Sequence, residues 1–149
     1  MGQLSQFEGR TGAEFTMTVE RGKIREFAAA VGSDHPRYFG DAPASPPTFL
    51  ASSNLWTTDA SSPWGDDPPD LSRILHAGQQ YVFHGPPPLA GTVLHGRQRI
   101  DRVYTKQGSR GGTLEFAEVV TEFRDDDGRL VAEERCTLVV TERAPAAAG

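Results

Sequence analysis

Cysteine is almost missing from this sequence. Cys136 stands alone, which rules out an internal disulfide and any metal centre built on paired thiolates. It sits in a strand-like pattern and reads as a buried structural thiol. Long apolar runs are missing too. Nothing approaches the roughly 20 residues of a membrane-spanning helix. Met1–Arg10 lacks the apolar core of a secretory signal, so the chain is expected to be cytoplasmic. There is no basic surplus, because 15 Lys and Arg stand against 20 Asp and Glu, a formal net charge of −5. That balance argues against the cationic patch of a nucleic-acid-binding domain. Lysine is especially scarce, since thirteen of the fifteen basic residues are Arg. The shortage is read as a bias of GC-rich coding DNA, although clustered Arg forks remain well suited to phosphate. No chelating cluster is visible, so neither a metal nor a cofactor is expected.

What is present is enough for one domain: 149 residues can bury roughly two-thirds of the surface of the unfolded chain. Phe15, Met17 and Val19 alternate with polar residues and predict a half-buried strand. Ile24, Phe27, Ala28 and Val31 then follow helical spacing, with Gly32 placed to end a short amphipathic helix. A turn-rich stretch at 40–47 precedes a predicted helix from about Thr48 to Thr58, whose apolar contacts are Phe49, Leu50, Leu55 and Trp56. Ser, Asn and Thr crowd that segment, so it needs tertiary burial to persist. Residues 59–69 read as an irregular loop in which Trp64 either covers a pocket or packs on the surface.

Four strands follow, at about Arg73–His84, Thr92–Lys106, Thr113–Arg124 and Arg129–Arg143. Gly85-Pro-Pro-Pro88 ends the first, and Asp127-Gly128 is a strong hairpin signal before the last. Leu130, Ala132, Cys136, Leu138 and Val140 are placed on one face of that last strand. Helices gathered early and strands gathered late predict an α+β fold, an antiparallel sheet wrapped around the helix at 48–58. The expected organisation is an N-terminal segment at 1–13, the domain at 14–143 and a loose tail at 144–149.

Six segments then recur in a familiar order. They are Val19–Val31, Asp34-His-Pro-Arg-Tyr-Phe39, Pro46-Pro-Thr-Phe49, Ile74-Leu-His-Ala-Gly-Gln-Gln-Tyr81, Pro88-Leu-Ala-Gly91 and Asp125-Asp-Asp-Gly-Arg-Leu-Val131. Together they resemble the MaoC-like dehydratase N-terminal domain family. Within it they are most similar to the non-catalytic subunits of mycobacterial (3R)-hydroxyacyl-carrier-protein dehydratase. The resemblance covers about residues 14–142. It implies a hotdog fold, and dimers that join two sheets edge to edge with an active-site tunnel at the interface. The implied partners are a catalytic MaoC-like hotdog subunit and an acyl-carrier-protein or CoA thioester, with no nucleic acid and no membrane.

Catalytic members of that family carry a loop of the form Asp-x-Asn-Pro-x-His. Dehydrating a (3R)-3-hydroxyacyl thioester needs a base at C2 and an acid for the leaving hydroxyl. A hydrogen-bond donor must also meet the thioester oxygen as charge builds on it. Anchored on Pro36, the Asp falls on Ser33, the Asn on His35 and the His on Tyr38. A serine without a base and a tyrosine titrating near ~10 cannot replace that dyad at neutral pH. No catalytic residue is therefore expected at these two positions.

Asp34 and His35 remain as a fallback pair if the loop shifts by one residue, and His76 or His84 could act from the strands. The bland alternatives are a hydrogen-bonded His76 and a solvent-facing His95. Substrate contacts are expected from Pro47, Thr48, Phe49 and Trp56, and from His76 and Gln79; Leu50 and Leu55 are equally readable as core. The leading reading is a non-catalytic subunit of a heterodimeric dehydratase or enoyl hydratase. A self-sufficient homodimer using Asp34 and His35 stays open, as does a binding module without chemistry. A thioesterase is disfavoured, because residues 48–58 offer no carboxylate to activate water.

Overall fold

A strand at Phe15–Thr18 (β1) leads into a helix at Arg21–Ala30 (α1), and four long strands complete the chain. These are Ile74–Phe83 (β2), Val93–Gln107 (β3), Thr113–Arg124 (β4) and Leu130–Val140 (β5). The computed structural model describes residues 3–109 and 111–141. The tail expected at 144–149, and the end of the strand expected to reach Arg143, lie outside them. All neighbours pair antiparallel in the order β1-β3-β4-β5-β2. This is the α+β, sheet-around-helix arrangement read from the sequence, and β2 is left as a ten-residue edge strand.

Alternation decides which face of the sheet is covered. Phe123 of β4 and Ala132 of β5 point inward and are fully buried with Phe15, Met17, Ile24, Phe49 and Leu50. Phe15 lies directly over Gly96, where an added Cβ would sit 2.2 Å from its ring. Its edge meets Phe123 at 6.3 Å and 86°. A second cluster joins Leu4 and Phe7 of the N-terminal segment to Ile100, Ala117 and Val140. Trp64 covers that cluster, edge-on to Phe7 at 5.2 Å. The loop tryptophan thus packs against the N-terminal segment.

The β4–β5 turn forms where Asp-Asp-Asp-Gly predicted it. Gly128 takes φ +78, and Asp125 accepts from the amides of Asp127 and Arg129 at 3.1 and 2.9 Å. Those bonds hold the Asp125 carboxyl below its usual range.

The central helix departs from expectation in type and length. Phe49–Leu55 is a 3-10 helix of seven residues, not an eleven-residue segment to Thr58. Its bonds run i to i−3, from Phe49 to Pro46, Ala51 to Thr48 and Trp56 to Ser53. The prolines at 46 and 47 and the Ser-Ser-Asn run explain this. Neither supports α-helical propagation, and burial of Phe49 and Leu50 holds the turns instead. Leu55, readable as core, is 70% exposed.

Candidate functional site

α1 sets up the loop at 33–38. Val31 caps it, Gly32 takes φ +71, and two bonds close a Schellman motif: Ser33 N–H to Ala28 O at 2.9 Å and Gly32 N–H to Ala29 O at 3.0 Å. The chain then turns sharply. His35 caps the single 3-10 turn Pro36–Tyr38, and its Nδ1 accepts from the Arg37 amide at 3.2 Å. In that hydrogen bond Nδ1 is the acceptor. The Ser33 hydroxyl accepts a long bond from the His35 amide at 3.4 Å. The His35 and Tyr38 rings sit 5.5 Å apart, tilted by 45°. No ion pair joins Asp34 to His35 among the described residues, and Asp34 is exposed.

This loop forms one wall of a cleft of about 400 Å³. Its lining includes His35, Arg37, Tyr38, Ser45, Pro47 and Phe83. The opposite wall is built by a backbone zipper. Ser45 N–H bonds Pro88 O at 2.9 Å, Ala90 N–H bonds Pro43 O at 2.9 Å, and Ala44 bridges Leu89. Of the residues expected to touch substrate, Pro47 lies in this cleft. Thr48 is exposed at the start of the central helix, Phe49 is buried beneath it against Phe27, and Trp56 is half-buried against the main core.

His76 and Gln79 lie elsewhere. They sit seven and four residues along β2 from Phe83, roughly 24 and 13 Å away at strand rise. There His76 Nε2 meets Gln79 Oε1 at 2.9 Å, and Gln79 donates to Glu134 at 2.8 Å. Sequence reasoning missed Arg37, Ser45 and Phe83. Ser45 is 2% exposed and its hydroxyl has no hydrogen-bond partner. The only signal for it was its place before Pro46-Pro47, which read as turn chemistry or as an alternative cap for the central helix.

The polar groups away from the cleft have structural explanations. His84 meets Glu133 at 2.8 Å, and that hydrogen bond, more than the Arg135 guanidinium, holds the Glu133 carboxyl below its usual range. His95 pairs with Asp126 at 2.8 Å. Glu134, on the opposite face of β5 from Glu133, is pushed up by burial. Burial raises Tyr81 to about 12 and the half-buried Cys136 thiol to about 11, so Cys136 stays protonated and inert. No group of three or more metal-ligating side chains occurs among the described residues. No helix among them is long and apolar enough to cross a membrane.

The fold and this cleft have known counterparts. Residues 6–134 match the family profile described as FAS1-like, dehydratase domain region. The chain belongs to that dehydratase family. A UPF0336 protein of Mycolicibacterium paratuberculosis is 30% identical over 81% of this chain and 71% of its own length. In three dimensions the chain superposes on a subunit of the C-terminally truncated HadBC (3R-hydroxyacyl-ACP dehydratase) complex of Mycobacterium tuberculosis. The TM-score is 0.72 at 28% identity, over 89% of this chain and 96% of that one. It also matches a chain of the ChsH1–ChsH2 complex of the same organism, with TM-score 0.69 at 16% identity over 97% and 92%. The second likeness is one of fold.

Within this FAS1-like dehydratase frame the fold is a hotdog, with the short 3-10 helix in place of the long central helix. The loop that carries acid–base groups in the family's catalytic pattern is present in outline, anchored on Pro36. The cleft beside it is lined here by an imidazole, a phenol, a guanidinium and the Ser45 hydroxyl.

Proposed function

We propose that this chain is the non-catalytic subunit of a heterodimeric (3R)-3-hydroxyacyl-thioester dehydratase or enoyl hydratase, working in the cytoplasm on acyl-carrier-protein or acyl-CoA thioesters. One observation carries the reading: Ser33 and Tyr38 stand where the dyad belongs, and the only imidazole of the loop spends its lone pair on a backbone amide. A base must offer a free lone pair to the C2 proton. His35 would have to break its cap to do so, and Asp34 points no carboxylate at it to stabilise the resulting imidazolium. The chain instead contributes sheet edge, tunnel wall and acyl pocket, while a catalytic hotdog partner supplies the reacting groups. That the HadBC neighbour is itself a complex supports this division of labour.

In the complex, Pro47, Thr48 and Trp56 flank the acyl chain beside the central helix, with Phe49 buried beneath them as core, and His76 and Gln79 lie further along β2 beside the partner. Hydration of crotonyl-CoA, assayed with the chain alone and co-purified with a neighbouring MaoC-type subunit, tests the proposal. Silence alone and turnover in the pair is the expected pattern. Turnover by the isolated chain, abolished in Asp34→Asn or His35→Ala, would instead establish a self-sufficient homodimer.

A further inference from the structure

A second hollow, of about 440 Å³, lies on the other side of Tyr38. Its walls are the first half of α1, through Arg21, Gly22 and Arg25, and the turn carrying Tyr38, Phe39 and Pro43. Arg21 and Arg25 are four residues apart and share one face of α1. Like charges at that spacing repel each other. Little within the chain relieves this. Arg21 reaches Asp41 at 3.3 Å, but the two side chains are 61% and 100% exposed, so the pair is worth little. Arg25 has no ion pair among the described residues. Arg37, also without one, lines the neighbouring cleft. In a chain of net charge −5 this is a local, under-compensated positive spot set in a concavity.

We propose that the Arg21–Arg25 hollow binds the phosphate of a pantetheine arm whose acyl thioester occupies the adjoining cleft. The inference rests on the acyl-thioester reading above and adds to it a subsite. Tyr38 is a wall of both hollows, and the ligand is placed across it, spanning the two. Its acyl end meets Phe83 and Pro47, and its anionic end meets two guanidiniums. Arg forks match phosphate oxygens with charge-assisted hydrogen bonds. CoA and acyl-carrier proteins both present this phosphate, and the chemistry recognised is common to them.

The test compares crotonyl-phosphopantetheine with crotonyl-pantetheine, which lacks the phosphate, binding to the full chain by calorimetry. The phosphorylated arm is expected to bind about tenfold more tightly. Arg21→Gln/Arg25→Gln removes that difference and leaves crotonyl-pantetheine affinity unchanged. Arg25→Gln alone narrows the difference, and Arg97→Gln, with the same charge change on β3, leaves it intact. Crotonyl-CoA and a crotonyl carrier protein then identify the source, as the one whose affinity falls in the double variant. If neither falls, or if the two small probes bind the wild-type chain equally, the phosphate site is wrong while the acyl-thioester reading stands. If neither small probe binds, alone or with the partner subunit, that reading fails and the subsite fails with it.

Discussion

Two adjacent carboxylates on β5 show how much a side chain's neighbours decide. Glu133 faces His84 and Arg135 on the outer side of the sheet and is held below its usual range. Glu134 faces inward beside Tyr81 and is pushed up by burial. The signs of their contributions are opposite. Glu133 stabilises the fold above the ordinary carboxylate range, and that stability is lost as pH falls through its depressed value. Glu134 costs stability once pH rises through its elevated value. Thermal melts between about pH 3 and 7 should show Glu133→Gln less stable and Glu134→Gln more stable at pH 7, with both differences fading at the acid end. Gly96 supplies a third residue-scale prediction. A Cβ there meets the Phe15 ring, so Gly96→Ala should cost roughly 1–3 kcal/mol in denaturant melts. The turn at 33–38 was legible at this scale, because Gly32 ends α1 just before it and Pro36 opens a new turn. Ser45 was not, since its burial comes from a zipper with residues 88–90 that no local pattern announces.

At the scale of elements, periodicity gave β4 its full extent and placed the other long strands within a residue or two at the described ends. Each has strong alternation and Gly or Pro punctuation. α1 was readable for the same reason, and its end is fixed by a single residue. Gly32→Ala places a Cβ at φ +71 and should cost about 1 kcal/mol, measurable as a lowered midpoint with unchanged slope. The central helix was legible in position and not in kind. Its apolar residues mark where the sheet wraps, but Pro46-Pro47 and Ser52-Ser53-Asn54 leave too little α-propensity, and 3-10 turns win under tertiary burial. The hydroxyls of Ser52 and Ser53 are buried without partners, a cost that a regular helix would relieve by back-bonding.

For the whole molecule, the open edge matters most. β2 pairs only with β5, and a ten-residue edge invites a second chain. Leu75 on it is 44% exposed. Leu75→Lys should weaken association with the partner subunit in sedimentation runs while leaving the isolated chain's melting point within a degree or two, on the scale of a ~0.5 kcal/mol surface change. The family resemblance implied edge-to-edge joining without naming the strand, because no periodicity tells an edge strand from a central one. The central claim is that the chain lends shape while its partner does the proton transfers. It is tested most directly by measuring kcat for crotonyl-CoA hydration in the reconstituted pair, with Asp34→Asn and His35→Ala introduced into this chain. A kcat within about twofold of the unmodified pair is expected for both. A fall of the order of 100-fold or more, the scale of a lost general acid or base, would contradict it.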